Sequence, residues 1–249
     1  MCAELLSRTS LNAMFLRPFY DCENDRIEIS AEQGSRFAKR ICDDFNPIHD
    51  PDYKRFCVPG DLLFALALDR YGISQRMRFG FSEMLSADTG LIFPTAPAAQ
   101  LKITDCHDRC YLELDQSGLV LRRETAIEAL IQSYVRFSGR NFPHILLPLM
   151  AQHNVMINPQ RPLVVYASMS LQMDNLEFEQ VETRLVDSQL EIAGKRGDAI
   201  FSFEFMADNQ SVGSGSKHLI LSGLRDYQQA DVDGMVERYN ARKAAFSGQ

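Results

Sequence analysis

Asp44-Phe45-Asn46-Pro47-Ile48-His49 sets a carboxylate, an amide and an imidazole within six residues, and Val58-Pro59-Gly60-Asp61 follows a short loop later, ahead of an apolar run from Leu62 to Leu68. Asn-Pro is a turn signal, and the residue before a proline is pushed out of the helical region. A chain that bends there brings Asp44 and His49 to the same side. A carboxylate beside a neutral imidazole can hold one water molecule, draw off a proton and return a proton to a substrate. Asn46 is placed to orient that water or substrate. Pro59 fixes the backbone before the next helix and Gly60 permits close approach. The unpaired N–H groups of the helix start then face any developing negative charge. Such donors contribute on the order of 3 kcal/mol each where an enolate or tetrahedral oxyanion forms. The same residues also suit a capped turn, with Asp44 or Asn46 bonded to nearby backbone N–H groups and His49 at the surface.

The run Ile41-Cys42-Asp43-Asp44-Phe45-Asn46-Pro47-Ile48-His49 resembles the signature of the MaoC-like, or type 2 (R)-specific, enoyl-CoA hydratases. That family has the hot-dog fold, and its motif reads small residue, Gly, Asp, any, Asn, Pro, aliphatic, His. The resemblance implies that Asp44 and His49 are a catalytic dyad with Asn46 beside it, and that the Gly60 N–H binds a thioester carbonyl oxygen. The chain departs from the pattern at Asp43, where the family has Gly, and at Arg55, where it has a small residue. Arg55 is expected either to narrow the acyl tunnel or to meet a phosphate of coenzyme A. The resemblance is clear over roughly residues 27 to 68.

A chain of 249 residues, 45% hydrophobic, has room for one large domain or two of about 120 residues. The net charge of -7 argues against a nucleic-acid partner, which needs a concentrated basic surface. No segment approaches the roughly 20 apolar residues that span a bilayer, so no membrane association is expected. Met1 to Phe15, with Glu4 and Arg8, lacks the pattern of a secretory signal, and a cytoplasmic protein is expected. Six scattered cysteines fit free thiols in a reducing compartment. Cys106-His107-Asp108-Arg109-Cys110 has no second ligand cluster at useful spacing. No metal or cofactor is expected beyond a coenzyme A thioester as substrate.

Helices are expected over Ala31 to Asp43, Asp61 to about Arg70, Ile145 to Gln152 and Asp231 to Phe246, and Thr125 to Phe137 leans helical. Strand patterns occupy Met77 to Phe81, Gly90 to Phe93 and Leu163 to Leu171. They recur at Val181 to Val186, Leu190 to Ala193, Ile200 to Met206 and Lys217 to Leu221. Tyr111 to Leu114 and Leu119 to Arg123 read as a hairpin about Gln116-Ser117-Gly118, and Gly213-Ser214-Gly215-Ser216 as another turn. The expected fold class is α+β, a double hot-dog with antiparallel sheets each wrapped around a central helix. The units are residues 1–139 with the motif, 140–224 without it, and a helical tail over 225–249. The chain is then a pseudo-dimer in itself, with a homodimer left open.

The activity expected is that of a hydro-lyase on an acyl-CoA or acyl-carrier-protein thioester, adding water to a 2-enoyl chain or removing it from a 3-hydroxyacyl chain. Two alternatives stand beside it. One is a non-catalytic acyl-CoA or acyl-carrier-binding protein; the other is a hot-dog thioesterase, in which a carboxylate directs water to the thioester carbonyl.

Overall fold

The computed structural model describes residues 14–247, so the readings of Cys2 and of Met1 to Ala13 lie outside the described residues. In chain order the elements are β1 (Asp21–Glu23), β2 (Arg26–Glu28), α1 (Ala31–Arg40), α2 (Gly60–Tyr71), β3 (Ile73–Phe81), β4 (Leu91–Ile92), β5 (Gln100–Thr104) and β6 (Cys110–Leu121). Then come α3 (Glu124–Gly139), α4 (Asn141–His144), α5 (Leu146–Gln152), β7 (Val155–Met156), β8 (Leu163–Met173), β9 (Glu182–Ala193), β10 (Arg196–Ala207), β11 (Gln210–Ser222), β12 (Arg225–Asp226) and α6 (Gln229–Ser247).

Ten strands form one sheet in the order β1-β2-β4-β5-β6-β3-β8-β11-β10-β9, and β7 pairs separately with β12. Every pairing in the large sheet is antiparallel. The first half folds as β1 to β6 with α2 across its inner face, and the second as β8 to β11. They join where β3 pairs with β8, from Arg76 opposite Gln172 to Gly80 opposite Ser168. The result is the double hot-dog, two antiparallel sheets fused edge to edge with helices held against one face.

Helix α2 is apolar on every side from Leu62 to Leu68, and nine of its twelve residues are buried, as suits a helix enclosed between a sheet and another helix. Phe64 packs edge-on against Phe79 of β3, with ring centroids 5.0 Å apart, and tilted against Tyr134 of α3 at 4.8 Å. Helix α3 buries Ala126, Ile127, Leu130, Ile131, Tyr134, Val135 and Ser138 at helical spacing. It crosses onto the second half, where Tyr134 meets Phe203 of β10 at 5.3 Å and Ser133 Oγ accepts the Thr183 N–H of β9 at 2.7 Å. The segment that leaned helical is therefore the long helix over the second sheet. Short α5 shares that sheet with α6, covering Ala199, Phe201, Leu219 and Leu221.

Two turns expected from glycines are strand features instead. Gly118 has φ 89° inside continuous β6, where Gly118 and Leu119 oppose Gln75 alone in a bulge. Gly213 and Gly215 lie within β11, opposite Phe205 and Phe203. A Cβ on Gly215 would stand 2.4 Å from the Ser170 carbonyl oxygen and 2.5 Å from the Phe203 ring. The turn falls at Asp208-Asn209, both with positive φ, which matches the twist of a two-residue hairpin. Likewise β9 runs unbroken through Val186, which is bulged out between Leu185 and Asp187.

Met169 and Met173 are buried in the core. The five described cysteines are free thiols. Among the described residues no helix is long and apolar enough to cross a membrane.

Candidate functional site

Helix α1 begins with a capping box between Ser30 and Gln33 and unwinds after Arg40. Asp43 takes the left-handed conformation, φ 57°, that glycine favours. A glycine suits this position for that reason, and an Asp is tolerated there because Asp is among the few side chains that visit that region. Its carboxylate is held at 2.9 Å by Arg140 and at 2.7 Å by Lys243.

The loop then ties itself. Asp44 Oδ1 accepts the Asn46 N–H at 2.9 Å, and Asn46 Oδ1 accepts the Ile48 N–H at 3.2 Å, capping a single 3-10 turn over Pro47–His49. The capped turn and the candidate site are thus the same object, with local hydrogen bonds presenting Asp44 and His49 together. His49 Nδ1 lies 2.7 Å from the Cys57 carbonyl oxygen. A carbonyl only accepts, so Nδ1 carries the proton and neutral His49 has its lone pair on Nε2.

That Nε2 stands 3.6 Å from Asp44 Oδ2, too far for a good direct bond and close enough for both atoms to reach one water or one reacting proton. The two side chains are 13% and 22% exposed. Burial pushes the Asp44 carboxyl above its ordinary value, against the lowering effects of His49, the Asn46 N–H and Lys217. A carboxylate raised in this way is a stronger base.

Asp44, Asn46, His49 and Gly60 all line one cavity of about 540 Å³, within the usual range for a small-molecule site. Gly60 is the first residue of α2. A Cβ there would press on Tyr166 at 3.1 Å and Phe81 at 3.2 Å, so only glycine leaves this helix start open. Arg55 is exposed and is not among the cavity's lining residues; the structure does not bring it to the others. Arginines reach the cavity instead from α6, as Arg238 and Arg242, beside Met235 and Tyr239.

Three polar residues missed in the sequence complete the wall. Asp61 of α2, Ser138 of α3 and Lys217 of β11 are 8%, 4% and 5% exposed and line the same cavity. Ser138 Oγ donates to Asp61 Oδ2 at 2.6 Å and accepts from Lys217 Nζ. Burial raises the Asp61 carboxyl and lowers the Lys217 amine, and their mutual attraction opposes both shifts. Lys217 had a legible signal, because it shares the inward phase of β11 with Leu219 and Leu221, and a lysine on the apolar phase of a strand needs a buried partner. Ser138 and Asp61 had none, being single polar residues in helical runs.

Comparison with known proteins places these features in context. A search of curated proteins finds no match. Among solved structures, the acyl-CoA thioesterase II TesB2 of Mycobacterium marinum overlaps 87% of this chain and 100% of its own, at TM-score 0.46 and 7% identity. A tesB protein of Mycobacterium avium subspecies paratuberculosis overlaps 66% and 87%, at 0.37 and 9%. A MaoC-like dehydratase overlaps 81% and 97%, at 0.40 and 9%. Likeness at this level decides nothing about chemistry. A family model, described as protein of unknown function DUF3581, matches residues 14–230, nearly the whole described fold, and the chain belongs to that family.

Proposed function

We propose that the protein is a hydro-lyase acting on acyl thioesters, either hydrating a 2-enoyl chain or dehydrating a 3-hydroxyacyl chain. The observation that carries this reading is the pair His49 Nε2 and Asp44 Oδ2, 3.6 Å apart, with the imidazole tautomer set by the Cys57 carbonyl. Both side chains line a cavity that also reaches the start of α2 at Gly60. Two acceptors at that separation suit one water. They take a proton as its oxygen bonds to the β-carbon, and a proton returns to the α-carbon on the same face. Negative charge then accumulates on the thioester oxygen, and in this reading the Gly60 N–H is the donor that receives it.

Asn46, with its Oδ1 engaged by Ile48, acts mainly by shaping the loop. In this reading a coenzyme A or phosphopantetheine phosphate meets exposed Arg238 rather than Arg55. The test is absorbance at the conjugated enoyl-thioester band with crotonyl-CoA and a longer trans-2-enoyl-CoA. Loss of the band with wild type and not with Asp44→Asn or His49→Ala supports hydration; equal rates in all three reject it.

Asp61 favours a second reading, that of a thioesterase. It is a buried carboxylate next to Gly60 on the cavity wall, and it could direct water to the thioester carbonyl. Release of free thiol from a saturated acyl-CoA, abolished by Asp61→Asn, separates the two, because a hydratase produces no thiol. Thioester binding by calorimetry without turnover of either kind would leave a binding protein.

A further inference from the structure

A lysine ammonium in a protein interior is costly unless it is hydrogen-bonded and paired. Lys217 comes from the half of the chain that lacks the Asp-x-Asn-Pro-x-His motif, yet it is 5% exposed and lines the cavity of the Asp44–His49 pair. Two contacts locate it. It donates to Ser138 Oγ, which in turn donates to Asp61, the residue after Gly60. It lies 4.1 Å from the centroid of the Tyr166 ring, the same ring that abuts the Cβ position of Gly60 at 3.1 Å. Ring and serine together bring the ammonium to the N-terminal end of α2. An ammonium has three N–H groups. Ser138 takes one and the Tyr166 face satisfies a second, and among the described residues no other hydrogen-bond acceptor is recorded for it.

We propose that Lys217 is a catalytic cation of this cavity: with the Gly60 N–H it binds the carbonyl oxygen of an acyl thioester and carries the negative charge that develops on it. The proposal rests on reading the cavity as a thioester site and not on which bond is made there, since an enolate and a tetrahedral intermediate place their charge on the same oxygen. The charges around Lys217 suit the role. Asp61 and Asp44 hold its proton against desolvation. Ser138 separates it from Asp61, so the cation is not consumed in a direct ion pair. A fixed donor in a site of restricted water needs no reorganisation as charge appears, and losing one such donor typically lowers kcat by 10²–10³-fold. The second half of the pseudo-dimer thereby contributes a reacting group despite its lack of the motif.

The experiment uses the Asp44→Asn enzyme, slowed in turnover under the hydratase reading, with a chromophoric enoyl thioester such as trans-2,4-hexadienoyl-CoA. Binding is measured by calorimetry and carbonyl polarisation by the absorbance of the bound ligand. The expected result is a red shift in Asp44→Asn and in Asp44→Asn/Asp61→Asn. The shift should be lost in Asp44→Asn/Lys217→Met and in the triple variant with Asp61→Asn, which leaves no buried carboxylate opposite the removed cation. A purely structural lysine would not move this signal in a folded, binding-competent variant. A red shift that persists in the folded triple variant overturns the role of Lys217 and leaves the thioester reading standing. No binding of the thioester to any form, wild type included, overturns both.

Discussion

Lys243 in α6 reaches back 200 residues to Asp43, at 2.7 Å, and so clamps the C-terminal helix onto the loop that presents Asp44 and His49. Arg242 holds Asp50 at 3.0 Å, Tyr239 donates to the Asp43 carbonyl at 3.0 Å, and Phe45 packs edge-on against Tyr239 and Phe246. The helix also walls the candidate site, because Met235, Arg238, Tyr239 and Arg242 line the cavity.

Asp43→Gly tests the clamp. It relieves a left-handed Asp and removes two part-exposed ion pairs that contribute about 0.2–1 kcal/mol each, so the two effects offset. Thermal unfolding is expected to shift by only ~2–4 °C. Turnover should fall about tenfold, because reacting atoms misplaced by roughly 1 Å can cost more than that. Proteolysis should cut earlier near residue 229, where α6 begins. Unchanged turnover together with unchanged proteolysis would show that the clamp does not serve the site.

Asp44→Asn and His49→Ala should each lower kcat by about 10²–10⁴-fold, the usual contribution of a positioned acid or base, with little loss of stability. Because each acts through the same proton, the double variant should be no slower than the worse single one. Steady-state kinetics on all three would check this, and multiplicative losses would argue that the two act separately.

Gly60→Ala should be tolerated by the fold and not by the site. The added methyl must displace Tyr166 or Phe81 by a few tenths of an ångström, at about 1–3 kcal/mol, and it narrows the approach to the first turn of α2. Gly139→Ala is the opposite case: its Cβ would stand 2.1 Å from the Cys42 carbonyl oxygen, a backbone atom that cannot swing aside. Urea melts should therefore show the larger loss for Gly139→Ala, and activity assays on the folded fraction the larger loss for Gly60→Ala.

The pH dependence of stability follows from the same wall. Asp44 and Asp61 have carboxyls raised above their unfolded values, so the folded state binds protons more tightly. Their contribution is fully present below the ordinary carboxyl range and is lost as pH rises through the raised values. Lys217 is lowered; in the window between its depressed value and the ordinary amine range, its contribution grows with pH. Asp61→Asn should flatten the decline on the acidic side and Lys217→Met the rise on the basic side. Unfolding temperatures measured from pH 4 to 10 would check both slopes.

The sequence by itself determined the local geometry of the motif loop. Asp44, Asn46 and His49 are legible because their arrangement is made by the loop's own bonds, Asp44 to the Asn46 N–H and Asn46 to the Ile48 N–H, which need no distant partner. The helix start at Gly60, the two-sheet plan and most strands were legible for the same reason, since periodicity is a local property. Glycines misled where a close neighbour, not a turn, demanded them, as Gly215 does under Phe203. Only the tertiary structure decided the rest. Ser138 meets Asp61 across 77 residues and Lys217 across 79, Arg55 is not among the residues that line the cavity, and α6 joins the motif's own neighbourhood in walling it. Such meetings depend on which sheet edge pairs with which and on how α3 crosses to the second half, and these are fixed by burial of the whole core and not by the spacing of residues along the chain.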